Sequence, residues 1–279
     1  DVLHAELEAH GSIFQTTVDS EIILHLMANP KYVRREEALV DTVKRIRGAY
    51  TLVFLTEEEI IGVRDPNGFR PLCLGKLGEA HILASENCAL DLIGATFVRE
   101  IEPGEAVFIN QKGIHSVKVF SPEQVTPSYC IFEHVYFARP DSMIFGENVH
   151  RVRQNLGRQL AREHPADADV VIPVPDSGNS AALGFSLESG IPFEFGMTRN
   201  HYIGRTFIQP TQAIRDFKVR VKFNPIRDVL QGRRVVLVDD SIIRGTTSKA
   251  RVKSLLDMGA KEVHLRVSCP HLLGRERAR

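Results

Sequence analysis

Apolar residues recur at helical spacing across 18–29, and Asp19 and Glu21 stand near the start of that run, where acidic side chains suit the positive end of a helix. A second helical pattern follows at 35–47, and 1–9 reads as part of a helix. The period then shortens. Residues 49–55 and 60–63 read as paired strands around the acidic turn at Glu57, Glu58 and Glu59, and short strands are predicted at 81–85, 97–101, 106–109 and 114–119. Helices first and strands afterwards make this front part α+β. The stretch 121–127, with Pro122 and Pro127, is expected to connect two domains, 1–122 and 123–279. Beyond it the pattern alternates: helix 148–163, buried strand 170–174, helix 179–188, strand 193–196, strand 234–238, helix 246–258 stopping at Gly259, and strand 262–267. That order predicts an α/β domain with a doubly wound parallel sheet, whose ligands sit at the carboxyl ends of the strands.

Composition narrows the class without naming a chemistry. The chain has 279 residues, 35 basic and 35 acidic, with 43% hydrophobic and 25% charged positions. These values suit a soluble globular protein of two domains and exclude a disordered chain, a collagen or a small disulfide scaffold. A zero net charge argues against a general nucleic-acid or membrane-surface binder. No apolar run approaches the ~20 residues that cross a bilayer. The four cysteines, Cys73, Cys88, Cys130 and Cys269, are far apart and form no Cys-x-x-Cys pair, so a reducing, cytoplasmic location is expected.

Chemistry concentrates in 235–248. Four apolar residues, Val235 to Val238, make a buried strand; Asp239 and Asp240 stand at its carboxyl end; Arg244, Gly245, Thr246, Thr247 and Ser248 follow where a helix begins. Backbone N–H groups, hydroxyls and the helix dipole at such a start favour a phosphate, and paired carboxylates accept sugar hydroxyls or ligate magnesium and its waters. A plain N-cap would explain one acid and one hydroxyl, but not two acids followed by Arg244 to Thr247. A second loop, Asp176, Ser177, Gly178, Asn179 and Ser180, ends an earlier strand and suits a pyrophosphate, although taken alone an ordinary strand-to-helix turn with Ser180 as cap reads it slightly better. A third segment, 199–210, mixes cations, aromatics and glycine, as a lid over an anion would, or as a solvated loop would.

Segment 235–248 resembles the phosphoribosyl pyrophosphate (PRPP) fingerprint of the type I phosphoribosyltransferases. Taken with 130–142, beginning at Cys130 and ending at Arg139-Pro140-Asp141-Ser142, and with Arg205-Thr206-Phe207-Ile208-Gln209-Pro210, it resembles the amidophosphoribosyltransferase family. Two front segments, Ser12 to Ser20 and Arg64-Asp65-Pro66-Asn67-Gly68-Phe69-Arg70-Pro71-Leu72, resemble that family's class II glutamine amidotransferase domain, an Ntn-hydrolase-like fold. The likeness covers residues 1 to about 270. It implies release of ammonia from glutamine and its transfer to PRPP, giving 5-phosphoribosylamine, pyrophosphate and glutamate, the first step of de novo purine biosynthesis. By position it implies that Asp19 holds the glutamine amino group. Ser177, Asp239 and Asp240 would be magnesium-associated. Residues 176–180 would hold pyrophosphate, and Arg244, Gly245, Thr246, Thr247 and Ser248 the 5-phosphate. Tyr202, Arg205 and Ile208 would lie in the loop closing over PRPP. Purine nucleotide feedback ligands and a homo-oligomer are further implications.

The match also departs from the family. The family's glutaminase nucleophile is an N-terminal cysteine, and this sequence opens on Asp1, so no catalytic residue is assigned here and the chain as given is expected not to hydrolyse glutamine. After Pro270 the family pattern gives way to the atypical stretch 271–279, read as a truncation or frame shift. Some members carry an iron–sulfur cluster on four cysteines; Cys130 matches the first ligand position, while the region of the others is missing or altered, so a cluster is not expected in this chain and stays open for a full-length parent. Two other readings stay open: a non-catalytic PRPP- or nucleotide-binding regulator of the same fold, and another glutamine-dependent enzyme, which would share 64–72 but not 239–248.

Overall fold

The computed structural model describes residues 2–200, 223–242 and 245–269. Tyr202, Arg205, Ile208, Arg244 and the stretch 271–279 lie outside them. The chain divides into two compact units, Asp1–Tyr129 and Cys130–Arg279.

In the first unit, α1 (Val2–Ala9), α2 (Asp19–Met27) and α3 (Arg35–Arg45) precede the strands. Ala38, Leu39, Thr42 and Val43 are buried on α3, a spacing that puts them on one helix face. The strands β1 (Thr51–Leu55), β2 (Glu59–Arg64), β6 (Glu105–Asn110) and β7 (Gly113–Lys118) form an antiparallel sheet in the order β1-β2-β6-β7. A second antiparallel sheet joins β3 (Cys73–Leu77), β4 (Ala80–Ala84) and β5 (Thr96–Glu100) in the order β4-β3-β5. Along β6 successive side chains point to opposite faces. Ala106 and Phe108 pack with Leu39, Val43, Ile61 and Val63, whereas Val107 and Ile109 pack with Leu72, Leu74 and Ile101. The first sheet is thus the middle layer of this unit. Patterning missed β3 and the short helix α4 (Cys88–Leu92), where Cys73, Cys88 and Leu90 are buried.

The second unit is built on β10 (Val170–Pro173), β13 (Arg234–Asp239) and β14 (Glu262–Val267), paired in parallel in the order β10-β13-β14. Before them come the hairpin β8 (Met143–Ile144) and β9 (Glu147–Asn148) and the helix α5 (Val149–Glu163). Val170, Ile172, Val235 and Leu237 share one cluster with Leu255 of α8 (Thr246–Asp257). The intervening Val171, Val236 and Val238 share another with Leu160 of α5 and Ala181, Ala182 and Phe185 of α6 (Asn179–Ser189). Both sheet faces are covered, which is why the buried stretches 170–173 of β10 and 235–238 of β13 are apolar at successive positions, while β14 keeps Glu262, His264 and Arg266.

One expectation needs correction. The strand predicted at 193–196 is a single parallel bridge, Val171 to Phe193, followed by β11 (Met197–Arg199) paired antiparallel with β12 (Phe223–Pro225). Pro192 has no N–H to extend the ladder, and the Gly196 backbone lies against the Ile172 side chain, so the chain leaves the sheet there. A four-residue helix, α7 (Arg227–Leu230), leads into β13. No helix among the described residues is long and apolar enough to cross a membrane.

Candidate functional site

The parallel register places the ends of β10 and β13 side by side, Pro173 opposite Val238. Val174 N–H then donates to Val238 O at 2.8 Å, and the loop 174–178 folds back on itself as Gly178 N–H donates to Val174 O at 2.8 Å. Gly178 is required by this close approach: a Cβ there would meet Val238 O at 2.5 Å and Val174 O at 2.9 Å. The next strand-end loop supplies the acids. Ser177 Oγ donates to Asp240 Oδ1 at 2.6 Å and Ser241 Oγ donates to Asp240 Oδ2 at 2.6 Å, so one carboxylate ties both loops together. The chain beyond β14 closes the third side: Ser268 N–H donates to Asp239 O at 3.0 Å and Cys269 N–H to Asp240 O at 2.9 Å.

Asp239 is buried differently. Its Oδ1 accepts from Asp240 N–H at 3.1 Å and its Oδ2 is ion-paired with Arg251 Nη1. Burial pushes its carboxyl above the ordinary range; the Arg251 guanidinium pulls it back down, and the neighbouring Asp240 pushes it up again. Helix α8 begins after Gly245, which is left-handed at φ +71°. Thr246 and Thr247 are exposed in its first turn, while Ser248 is buried. Asn179 and Ser180 open α6; Ser180 Oγ is 2.9 Å from His150 Nδ1, and Asn179 Oδ1 is buried with no hydrogen-bond partner among the described residues. Arg199, at the end of β11, reaches Asp176 Oδ2 at 3.1 Å.

Of the residues singled out from sequence, Asp176, Ser177, Gly178, Asn179, Ser180, Asp239 and Asp240 therefore meet at the carboxyl edge of one sheet, with Gly245, Thr246, Thr247 and Ser248 at the start of the helix after β13. Sequence reasoning missed Arg251 and His150; Arg199 opens the 199–210 segment that the sequence reads as a lid or a solvated loop, and its pairing with Asp176 was not foreseen. Arg251 left a signal: with Ser248 and Leu255 it occupies the stripe of α8 that is turned inward, and a cation on such a stripe calls for a buried anion.

In the first unit Asp19 is exposed in the first turn of α2. The loop before it is gathered around Glu21, whose carboxylate accepts from Gln15 N–H at 2.8 Å, Thr16 N–H at 2.9 Å and Thr16 Oγ at 2.6 Å. These bonds, the Gln15 one foremost, hold Glu21 down to about 2. The 64–72 motif is scaffold rather than open site. Arg64, 1% exposed, donates to the carbonyls of Arg70, Ile101 and Gly68 at 2.9, 2.6 and 2.9 Å, with Glu100 at 3.6 Å. Asp65 accepts from Asn67 N–H at 2.8 Å.

The chain was compared with known proteins. A family described as "Glutamine amidotransferase domain" matches residues 1–91. The chloroplastic amidophosphoribosyltransferase of Glycine max is 51% identical over 97% of this chain and 48% of its own length. The Bacillus subtilis (strain 168) amidophosphoribosyltransferase is 48% identical over 96% of this chain and 56% of its own. The chain belongs to the amidophosphoribosyltransferase family. A solved relative, the glutamine PRPP amidotransferase from B. subtilis complexed with ADP and GMP, superposes with a TM-score of 0.90 at 47% identity, covering 96% of this chain and 59% of that one. The chain spans about half the length of the curated relatives it matches.

Two groups that family membership raises were tested against the residues present. Asp240 with the Ser177 and Ser241 hydroxyls is a hard oxygen donor set, and Mg²⁺ takes one or two carboxylates and completes its shell with phosphate oxygens and water, so the donors fit. For an iron–sulfur cluster, among the described residues no three His, Cys, Asp or Glu side chains group to hold a metal, and Cys73 is packed with Leu90 and Ala95.

Proposed function

We propose that this chain is part of an amidophosphoribosyltransferase, with a class II glutamine amidotransferase region in the first unit and a type I phosphoribosyltransferase domain in the second. In the reaction, ammonia derived from glutamine forms a bond to the anomeric carbon of PRPP as the bond to pyrophosphate breaks, giving 5-phosphoribosylamine. The observation that carries the reading is the hydrogen bond from Ser177 to Asp240, which joins a candidate pyrophosphate loop to a candidate ribose-binding pair at the carboxyl ends of adjacent parallel strands.

On this reading residues 176–180 and the start of α6 hold the pyrophosphate through backbone N–H groups and hydroxyls. Arg244, Gly245, Thr246, Thr247 and Ser248 hold the 5-phosphate, the last three from the first turn of α8. Asp239 and Asp240 accept the ribose hydroxyls. Mg²⁺, when bound with PRPP, neutralises charge on the departing pyrophosphate. The anomeric centre reacts through an oxocarbenium-like state, so the protein's part is to hold the ribose still and keep water out. Tyr202, Arg205 and Ile208 belong to the segment assigned to water exclusion. Asp19 receives the glutamine amino group, and purine nucleotides are regulatory ligands, a role supported by the ADP- and GMP-bound relative.

The test is pyrophosphate release from PRPP with ammonium chloride as nitrogen donor, comparing the chain with its Asp239→Asn/Asp240→Asn form. Loss in the double variant supports the assignment; equal rates remove both carboxylates from the mechanism.

A further inference from the structure

The two acids after β13 are not equivalent. Asp239 is engaged wholly from inside the protein: Arg251 takes Oδ2 and the Asp240 backbone takes Oδ1. Arg251 is itself sunk into the unit, its side chain 17% exposed against 3% for Asp239. Its guanidinium carbon lies 5.1 Å from the centroid of the Phe223 ring, and its Nε is buried with no hydrogen-bond partner among the described residues. Asp240, by contrast, accepts from two serine hydroxyls through its side chain, with no arginine or lysine paired to it among the described residues. A hydroxyl rotates to turn a lone pair toward an incoming cation. An arginine holds a fixed positive charge and must be displaced bodily.

We propose that Arg251 is a positioning residue, a built-in cation that reserves Asp239 inside the protein and leaves recruitment of the divalent cation to Asp240 and its serines. The proposal rests on reading this acidic pair as the Mg–PRPP site. Two adjacent buried carboxylates repel each other and lose hydration, and one permanent cation on the inner acid offsets both costs before any ligand arrives. It also means that Arg251 and Mg²⁺ compete for Asp239. Removing Arg251 frees that carboxylate, buried and unpaired, to draw in the metal.

Mg²⁺ titrations of the whole chain, read by calorimetry and by thermal unfolding with and without PRPP, test this. Arg251→Met should bind Mg²⁺ about tenfold more tightly than wild type, the scale on which groups behind a metal's ligands act. Its unfolding temperature should fall without Mg²⁺ and recover as Mg²⁺ is added. Arg251→Lys, which keeps a cation, should behave as wild type, and Arg251→Met/Asp239→Asn should lose the gain. Equal Mg²⁺ affinity in Arg251→Met and wild type, or a gain that survives in the double variant, overturns the proposal. Should Arg251→Met not fold, two single variants decide: Asp240→Asn should weaken Mg²⁺ binding far more than Asp239→Asn, and the reverse order overturns it. If wild type and every variant bind no Mg²⁺ even with PRPP, the reading of the site fails and takes the proposal with it. Binding that is present but indifferent to Arg251 sinks the proposal alone.

Discussion

The loop that carries Asp176 to Ser180 is held in place by the contact between α5 and α6, and one methyl group tests that contact. Gly157 of α5 and Gly184 of α6 face the opposite helix at backbone distance: a Cβ on Gly157 would lie 1.9 Å from Ala181 O, and one on Gly184 would lie 2.0 Å from Gln154 O. Neither obstacle is a side chain that can swing aside. To admit Gly157→Ala the helices must part by about 1 Å, which loosens a close-packed interior. The separation uncovers Leu160, Ala182 and Phe185, the cluster that seats α6 on the sheet. Overpacking costs ~1–3 kcal/mol, and a backbone obstacle puts this case at the upper end. Alanine returns ~1 kcal/mol through helix propensity. The net loss is therefore ~2 kcal/mol, which lowers the unfolding temperature of a unit this size by roughly 4–8 °C. Circular dichroism melts of Gly157→Ala, Gly184→Ala and the double variant measure it. The double variant should cost less than the sum, because helices parted for one methyl group admit the second. A melting temperature for Gly157→Ala at or above wild type refutes the packing described here.

Further outcomes follow from the same geometry. Gly178→Ala places a methyl group 2.5 Å from Val238 O, so the loop must lift from the strand ends; pyrophosphate binding by calorimetry should weaken at least tenfold, and unchanged affinity would detach the loop from the site. Glu21 is held to about 2 against an ordinary 4.5, so its contribution to stability is complete above 4.5 and is lost as pH falls toward 2. Glu21→Gln should flatten that acid limb of the unfolding temperature, and an identical limb would mean that Glu21 does not hold the 15–16 loop. Leu237→Ala empties a fully buried position at the centre of the parallel sheet and should cost ~2–5 kcal/mol in denaturant unfolding, whereas a loss below ~1 kcal/mol would mean that the strand is not sandwiched.

The strands of the second unit were legible because burial on both faces leaves continuous apolar runs, as at Val235 to Val238, and the helices because Val149–Glu163 and Thr246–Asp257 keep one apolar stripe each. The acids and small residues at the strand ends were legible for a chemical reason: Asp239, Asp240 and Gly178 are poor choices for the interior of an element. What sequence could not give was partnership. The ion pair of Asp239 with Arg251 joins a strand end to a helix stripe, and the bond of Ser177 to Asp240 joins residues 63 apart in sequence. The 193–196 strand was misread because the alternation of Phe193, Glu194 and Phe195 does not report that Pro192, just before it, lacks a donor. The 64–72 segment showed the opposite limit. Its turn chemistry was plain, but that Arg64 spends its donors on three carbonyls of its own unit is a tertiary fact.

On the proposed function, residues 176–180 and 239–248 form one site for PRPP at the carboxyl edge of the parallel sheet. Calorimetric titration of PRPP with Mg²⁺ into the chain, alongside Gly178→Ala and Asp239→Asn/Asp240→Asn, tests it most directly. Saturable binding that is lost in both variants, one altered in each loop, is the predicted result. Binding that survives in either variant contradicts a single shared site.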